Sequence, residues 1–206
     1  MTKRVSGISG RAGTPALEFR PLTADRWRDL EALFGPRGAC GGCWCITWRL
    51  KRSEFELGKG EGNRKAFRAI VRSDVEPGVL AFAGSEPVGW CAVAPRAAYP
   101  VLGHSRVLAP VDERPVWSIS CLFVTRRMRR SGVSVPLIRA AVEHAAAHGA
   151  EVVEAYPVEP YSAAMPAAFA WTGIVSAFEN AGFKEVLRRS RARPIMRFEI
   201  KRRRKP

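Results

Sequence analysis

The chain has 206 residues, 47% of them hydrophobic, which is enough to bury a substantial core in one domain. Nowhere do about 18 apolar residues run together, and the opening MTKRVSGISGRAGTP lacks the apolar centre of an export signal, so a soluble, cytoplasmic protein without membrane contact is expected. The formal charge of +15 points toward a polyanion, yet ten basic residues lie between Leu187 and Pro206 against one acidic residue, Glu199, so a solvated tail that meets nucleic acid only nonspecifically accounts for much of it.

In chain order, residues 1 to 16 are polar and glycine-rich and are expected to be flexible. Residues 17–22 read as a short strand stopped by proline, and Thr23 as the cap of a helix over 24–34, where Trp27, Leu30, Leu33 and Phe34 recur at helical spacing before Gly35-Pro36. The next segment, GACGGCWCITWRL, spaces Cys40, Cys43 and Cys45 as C-x2-C-x-C. A zinc site is conceivable there, with Cys91 approaching from elsewhere, but no second C-x2-C or nearby histidine pair accompanies it, so small buried thiols are the plainer reading. Five cysteines in all, with Cys121, form an odd and scattered set that fits reduced thiols. Trp44 and Trp48, four apart, fit either one face of a helix or the wall of a cleft, with core packing the plainer role. Residues 51–63, charged and rich in glycine, read as a mobile loop, and 64–72 as a helix. Residues 78–83 and 88–95 flank the turn Gly84-Ser85-Glu86-Pro87 as a hairpin. The loop 96–115 is long enough to serve function. It carries His104, read as an incidental imidazole.

The centre of the chain is the run from Val116 to Val158. Residues 116–124 are apolar without alternation, as in a strand covered on both faces. A basic turn, Arg126 to Gly132, follows, and then a helix over 133–148 with Leu137, Ile138, Ala141, Val142 and Ala145 on one face. Residues 151–157 form a second strand, so a right-handed crossover with a parallel pair is expected. Backbone N–H groups, the helix dipole and guanidinium charges at such a turn favour a phosphate or pyrophosphate. On a regular strand Glu154 and Tyr156 share a face and are candidate acid/base groups, against the plainer reading as a surface carboxylate and a packed ring. Ser118 and Ser120 share a face too, without a visible His/Asp partner, so a serine nucleophile is not expected. Pro157 and Pro160 break the strand. Residues 161–172 read as a loop across the site, 173–180 as a helix stopped by Gly182, and 184–187 and 195–200 as closing strands.

Arg129-Arg130-Ser131-Gly132-Val133-Ser134 resembles the pyrophosphate signature of the GNAT acyltransferases, in which Gln or Arg, two residues, Gly and one residue precede Gly or Ala. Ser134 departs from it but stays small. Phe178-Glu179-Asn180-Ala181-Gly182-Phe183 is similar to the family's Tyr-Glu-Lys-x-Gly-Phe. The resemblance implies an α/β fold of the α+β kind, with a mixed, mostly antiparallel central sheet, flanking helices and a splayed parallel strand pair. It also implies acetyl-CoA as co-substrate, with its pyrophosphate on Arg129 to Ser134 and its pantetheine arm paired with the main chain of Leu122, Phe123 and Val124. Transfer to a primary amine of a small molecule or peptide would follow by direct attack in a ternary complex, with the acceptor pocket drawn from loops 38–63 and 96–115. The family's tyrosine acid is replaced by Phe178, which cannot protonate a departing thiolate, leaving Glu154 and Tyr156 as the candidates near the split strands. One acyltransferase domain over 17–200 is expected, followed by a basic tail, 201–206. No metal is required, and a homodimer is left open. A CoA-binding module without catalysis is the alternative.

Overall fold

The computed structural model describes residues 16–73, 75–160 and 165–201. Residues 1–15 of the expected flexible N-terminus, most of the basic tail, and Tyr161 to Ala164 of the expected loop across the site lie outside them. Seven strands, β1 (Leu17–Pro21), β2 (Gly78–Ala83), β3 (Glu86–Pro95), β4 (Trp117–Val124), β5 (Val152–Ala155), β6 (Lys184–Arg188) and β7 (Pro194–Glu199), form one sheet in the order β1-β2-β3-β4-β5-β7-β6. Every neighbouring pair is antiparallel except β4 and β5. The helices are α1 (Trp27–Phe34), α2 (Arg52–Leu57), α3 (Glu61–Arg72), α4 (Pro100–Gly103), α5 (Ser134–Ala147) and α6 (Val175–Ala181).

Both faces of the sheet are covered. Along β2 the alternation of side chains sends Val79 and Ala81 into a core with Leu137, Ile138 and Ala141 of α5 and Phe178 of α6. Leu80 and Phe82 enter a second core with Trp27 and Leu30 of α1 and Phe67 and Val71 of α3. Two covered faces explain why the apolar runs of β2 and β4 show no alternation in sequence. A third, smaller cluster gathers Tyr99, Leu102, Leu108, Tyr156 and Ile195 under the 96–115 connection.

Two expectations fail in the stretch between β1 and β2. Residues 51–63 are not a featureless loop, because α2 and the first turn of α3 lie within them. The Lys51 N–H donates to the Glu54 carboxylate at 3.1 Å, satisfying the start of α2, and the buried Asn63 amide donates to the carbonyls of Gly42 and Phe55, each at 3.2 Å. Trp44 and Trp48 do not share a helix face either. Residues 38–48 run as tight turns with Ala39, Trp44 and Cys45 at positive φ. Trp44 is buried beside Trp27 and Phe34, with ring centroids 6.1 and 5.7 Å away. A Cβ on Gly38 would lie 2.2 Å from the Trp44 indole nitrogen, so glycine there admits the ring.

Candidate active site: an anion cradle beside a split in the sheet

β4 and β5 pair only at Trp117 with Val153, Ser118 with Glu154 and Ile119 with Ala155. Beyond Ile119, β4 runs on to Val124 while the chain after β5 turns through Tyr156 and Pro157 to bridge Ile174 at Val158. The missing ladder leaves one edge of β4 facing a split.

At the head of β4 a short 3-10 turn, Arg126–Met128, leads through Arg129 and Arg130 into α5. Arg130 and Gly132 take positive φ, 63° and 84°, which turns successive backbone groups inward as in an anion-binding nest. Nothing lies within 4 Å of a Cβ built on Gly132, so the backbone there is open to approach. No side chain caps α5 and no acidic residue lies in its first turn, so the first amides of the helix lack the partners that a helix start normally acquires. Val133 is buried and anchors the turn, and the Ser131 hydroxyl donates to the Met128 carbonyl at 2.7 Å. Arg126, Arg127, Arg129, Arg130 and Gly132 are exposed. A cradle of amides, guanidinium groups and open backbone fits a pyrophosphate.

The edge of β4 has partners of another kind. The Leu122 N–H donates to the Trp171 carbonyl at 2.7 Å, the Trp48 indole N–H donates to the Ser120 carbonyl at 3.2 Å, and Arg129 Nε donates to the Val124 carbonyl at 3.1 Å. Trp48 and Trp171 stack with ring centroids 5.5 Å apart. A tryptophan pair, one member from before α2 and one from before α6, therefore covers the main chain of β4 along the split. Phe123, the middle residue of the expected set, faces the second core, its ring 5.5 Å from that of Phe34. Among the residues of this edge, sequence reasoning singled out Trp48 only as a packing or cleft residue and Trp171 not at all, since neither position carries a local signal for a partner on β4.

Glu154 and Tyr156 lie on one side of the split. Both are buried, Glu154 to 1% exposure. Glu154 accepts from Tyr156 Oη at 2.7 Å and Arg96 Nη1 at 3.0 Å on one oxygen, and from Arg197 Nε at 2.9 Å on the other. The Tyr156 hydroxyl also meets Ser118 Oγ at 2.9 Å and the Arg96 guanidinium. Burial pushes the Tyr156 phenol well above its ordinary range, and the Glu154 charge pushes it the same way, so the hydroxyl keeps its proton at neutral pH. Arg197 forks onto Asp112 at 2.6 and 3.0 Å, and Arg96 reaches the Leu108 carbonyl at 2.6 Å. These bonds fasten the long 96–115 connection to β5 and β7. The sequence reading missed Arg96, Asp112 and Arg197 as members of this cluster, because their only signal is contact across the folded chain.

Phe178 is fully buried, edge-on to Phe183 at 5.1 Å. Gly173, at φ +82°, lies between them and the strand: a Cβ there would fall 2.6 Å from the Phe178 ring and 2.9 Å from the Leu122 side chain. The Phe178 ring thus stands close to the split with no hydroxyl to offer. The cysteines are spread over different environments, Cys40 exposed, Cys43 half-buried and Cys45 buried, with the Trp90 indole N–H directed at the Cys45 sulfur at 3.2 Å. No described helix is long and apolar enough to cross a membrane.

A family model described as the acetyltransferase (GNAT) family matches residues 44–169, from the tryptophan-bearing turns through the cradle to the edge of the split. No curated protein sequence matches significantly. Among solved structures, a GNAT-family acetyltransferase from Listeria monocytogenes 4b F2365 superposes with a TM-score of 0.57 at 9% identity, over 95% of this chain and 100% of that one. The NatC complex bound to Gag peptide and CoA gives 0.52 at 12% identity, over 90% and 99%, and the Paia N-acetyltransferase from Thermoplasma acidophilum in complex with coenzyme A gives 0.50 at 13%, over 89% and 99%. At such identities the superpositions speak for the fold, and the matched sequence model for the lineage. The split parallel pair, the open cradle ahead of α5 and the matched model agree: the chain belongs to the GNAT acetyltransferase family, with acetyl-CoA as its co-substrate.

Proposed function

We propose that the protein is an N-acetyltransferase that moves the acetyl group of acetyl-CoA to a primary amine of a small molecule or peptide, by direct attack with both substrates bound and no cysteine intermediate. The observation that carries this reading is the cradle: uncapped α5 amides, exposed Arg129 and Arg130 and open backbone at Gly132, set at the head of a strand whose edge diverges from β5. An amine acceptor is supported by two structural neighbours, the Paia N-acetyltransferase and the NatC complex bound to Gag peptide and CoA. Acetyl-CoA supplies an activated thioester. In this reading Arg129, Arg130, Ser131, Gly132, Val133 and Ser134 bind the pyrophosphate, and the main chain of Leu122 to Val124 orients the arm once the Trp171 carbonyl yields the Leu122 N–H. The Tyr156 hydroxyl, protonated at neutral pH, is the proton-bearing group beside the split, and Glu154 is a positioning residue acting through Tyr156 and Arg96. With Phe178 unable to donate, the thiolate leaves without a side-chain acid there, which a thiol pKa of about 8.5 permits. The enzyme is taken to act as one domain over 17–200 in the cytoplasm, where five unpaired cysteines stay reduced.

A second reading, a CoA-binding module without catalysis, is favoured by Phe178 and by the tryptophan pair on the edge of β4. Calorimetric titration with acetyl-CoA, followed by thiol release over polyamines, aminoglycosides and peptide N-termini, separates the two. Saturable binding with thiol release for one amine class is expected. Absence of saturable binding overturns both readings, and binding without release for any amine leaves the second. If release is seen, Tyr156→Phe is expected to lower kcat with little change in KM, a split that loss of packing alone would not produce.

A further inference from the structure

His144 and His148 take no part in the acetyl site. His144 lies in the last turn of α5 and His148, four residues on, caps its end, so the two rings fall on one side, and His144 lies about 15 Å along the axis from Ser134 at the cradle. Glu76, from the stretch joining α3 to β2, reaches both: its Oε2 lies 3.8 Å from His144 Nδ1 and 3.5 Å from His148 Nε2. One ligand atom from each of the three residues falls within 4.8 Å of the other two. The far nitrogen of each ring faces a backbone carbonyl, His144 Nε2 that of Glu76 at 3.2 Å and His148 Nδ1 that of His144 at 2.8 Å. A carbonyl only accepts, so those nitrogens carry the protons, and in the neutral rings His144 Nδ1 and His148 Nε2 are left as lone pairs turned toward a carboxylate. Such an arrangement is repulsive unless a cation stands between the groups or one ring takes up a second proton. Trp117 packs against both rings, 6.1 and 5.5 Å away, and limits their rotation.

Ring protons directed onto backbone carbonyls are how metal-bound histidines are commonly oriented. Ligand atoms bound at 2.0–2.2 Å around a tetrahedral ion stand about 3.3–3.6 Å apart, close to the two separations from Glu76. Two imidazoles and a carboxylate suit a late first-row divalent ion. We propose that Glu76, His144 and His148 form a site for such an ion, with Zn2+ the natural occupant, clipping the α3–β2 connection onto α5. The fourth position is open to solvent, since Glu76 is 30% and His148 42% exposed.

The competing account is a protonated histidine paired with Glu76, and metal titration of the full chain distinguishes the two. Calorimetry with Zn2+ is expected to give one ion per chain and a higher melting temperature. Co2+ in its place is expected to show four-coordinate ligand-field bands without thiolate charge-transfer absorption, which separates this site from the cysteines. His148→Ala and Glu76→Gln, both at solvent-accessible positions, are each expected to weaken binding tenfold or more and to abolish the thermal shift, whereas Cys40→Ser leaves both unchanged. No saturable binding, binding unaltered in both variants, or thiolate absorption with Co2+ would each overturn the proposal.

Discussion

The turn from Arg126 to Ser134 and the cluster around Glu154 stand at the two sides of the split between β4 and β5, and both are rich in charge, yet they are built in opposite ways. In the turn, Arg129 and Arg130 are exposed, and among the described residues neither is paired with a carboxylate. The backbone at Gly132 is open, and the helix start behind it has no cap. In the cluster, Glu154 is buried and receives Tyr156, Arg96 and Arg197, and Arg197 is shared in turn with Asp112. Uncompensated groups in reach of solvent keep their capacity to bind an anion. Compensated groups removed from water have spent it on one another, and what they provide is position. On the proposed reading, main chain and free guanidinium groups hold the donor, while paired side chains hold the split together.

The sharpest way to break the contrast is Glu154→Ala, which leaves the largely buried Arg96 guanidinium without a carboxylate and Arg197 with Asp112 alone. Unfolding in denaturant is expected to show a loss of about 3–5 kcal/mol. A loss below 1 kcal/mol would mean that the cluster does not hold the split. Gly132→Val is expected to do the reverse. Strain at a positive φ costs about 1–2 kcal/mol of stability, while a side chain in the open space lowers acetyl-CoA affinity by roughly tenfold or more, a factor equivalent to about 1.4 kcal/mol. If affinity is retained, the cradle is elsewhere. Between the two lies the edge of β4. Trp48→Phe removes one donor to the Ser120 carbonyl and the polar part of the stack on Trp171, and is expected to tighten acetyl-CoA binding by about 1 kcal/mol, a factor of about five, by easing release of the edge. Weaker binding would instead make the tryptophan pair part of the ligand site. The smallest effect concerns pH. Arg197 holds the Asp112 carboxyl below its usual range, so the stabilisation is present above that range and fades as pH falls through the depressed value. Melting curves below about pH 4 are expected to fall more steeply for the parent than for Asp112→Asn.

Much of this architecture is legible along the chain. β4, α5, β5 and the β2–β3 hairpin are written as local patterns, apolar runs and helical spacing that persist over enough residues to override ambiguity. Gly182, at φ +104°, ends α6 as its position predicts. The stretch 38–63 is less legible, because its turns rest on Trp44 packing over Gly38 and on Asn63 reaching back to Gly42, contacts that no window of neighbours contains. The same holds for the tryptophan pair: Trp48 meets Ser120 across 72 positions, a partner that periodicity does not name.

By itself the sequence determined the order of the seven strands with α1, α3, α5 and α6, the basic turn ahead of α5, the glycine that opens it, and the absence of a phenol at Phe178. Spacing of residue types decides these, since backbone geometry is local. Only the tertiary structure decided that Glu154 is neutralised by Arg96 and Arg197, from 58 and 43 positions away, that tryptophans cover the edge of β4, and that Glu76 faces His144 and His148. Those facts depend on which faces meet when the sheet closes, and the free energy of a charged group is set by the neighbours that closure brings, more than by those beside it in the chain.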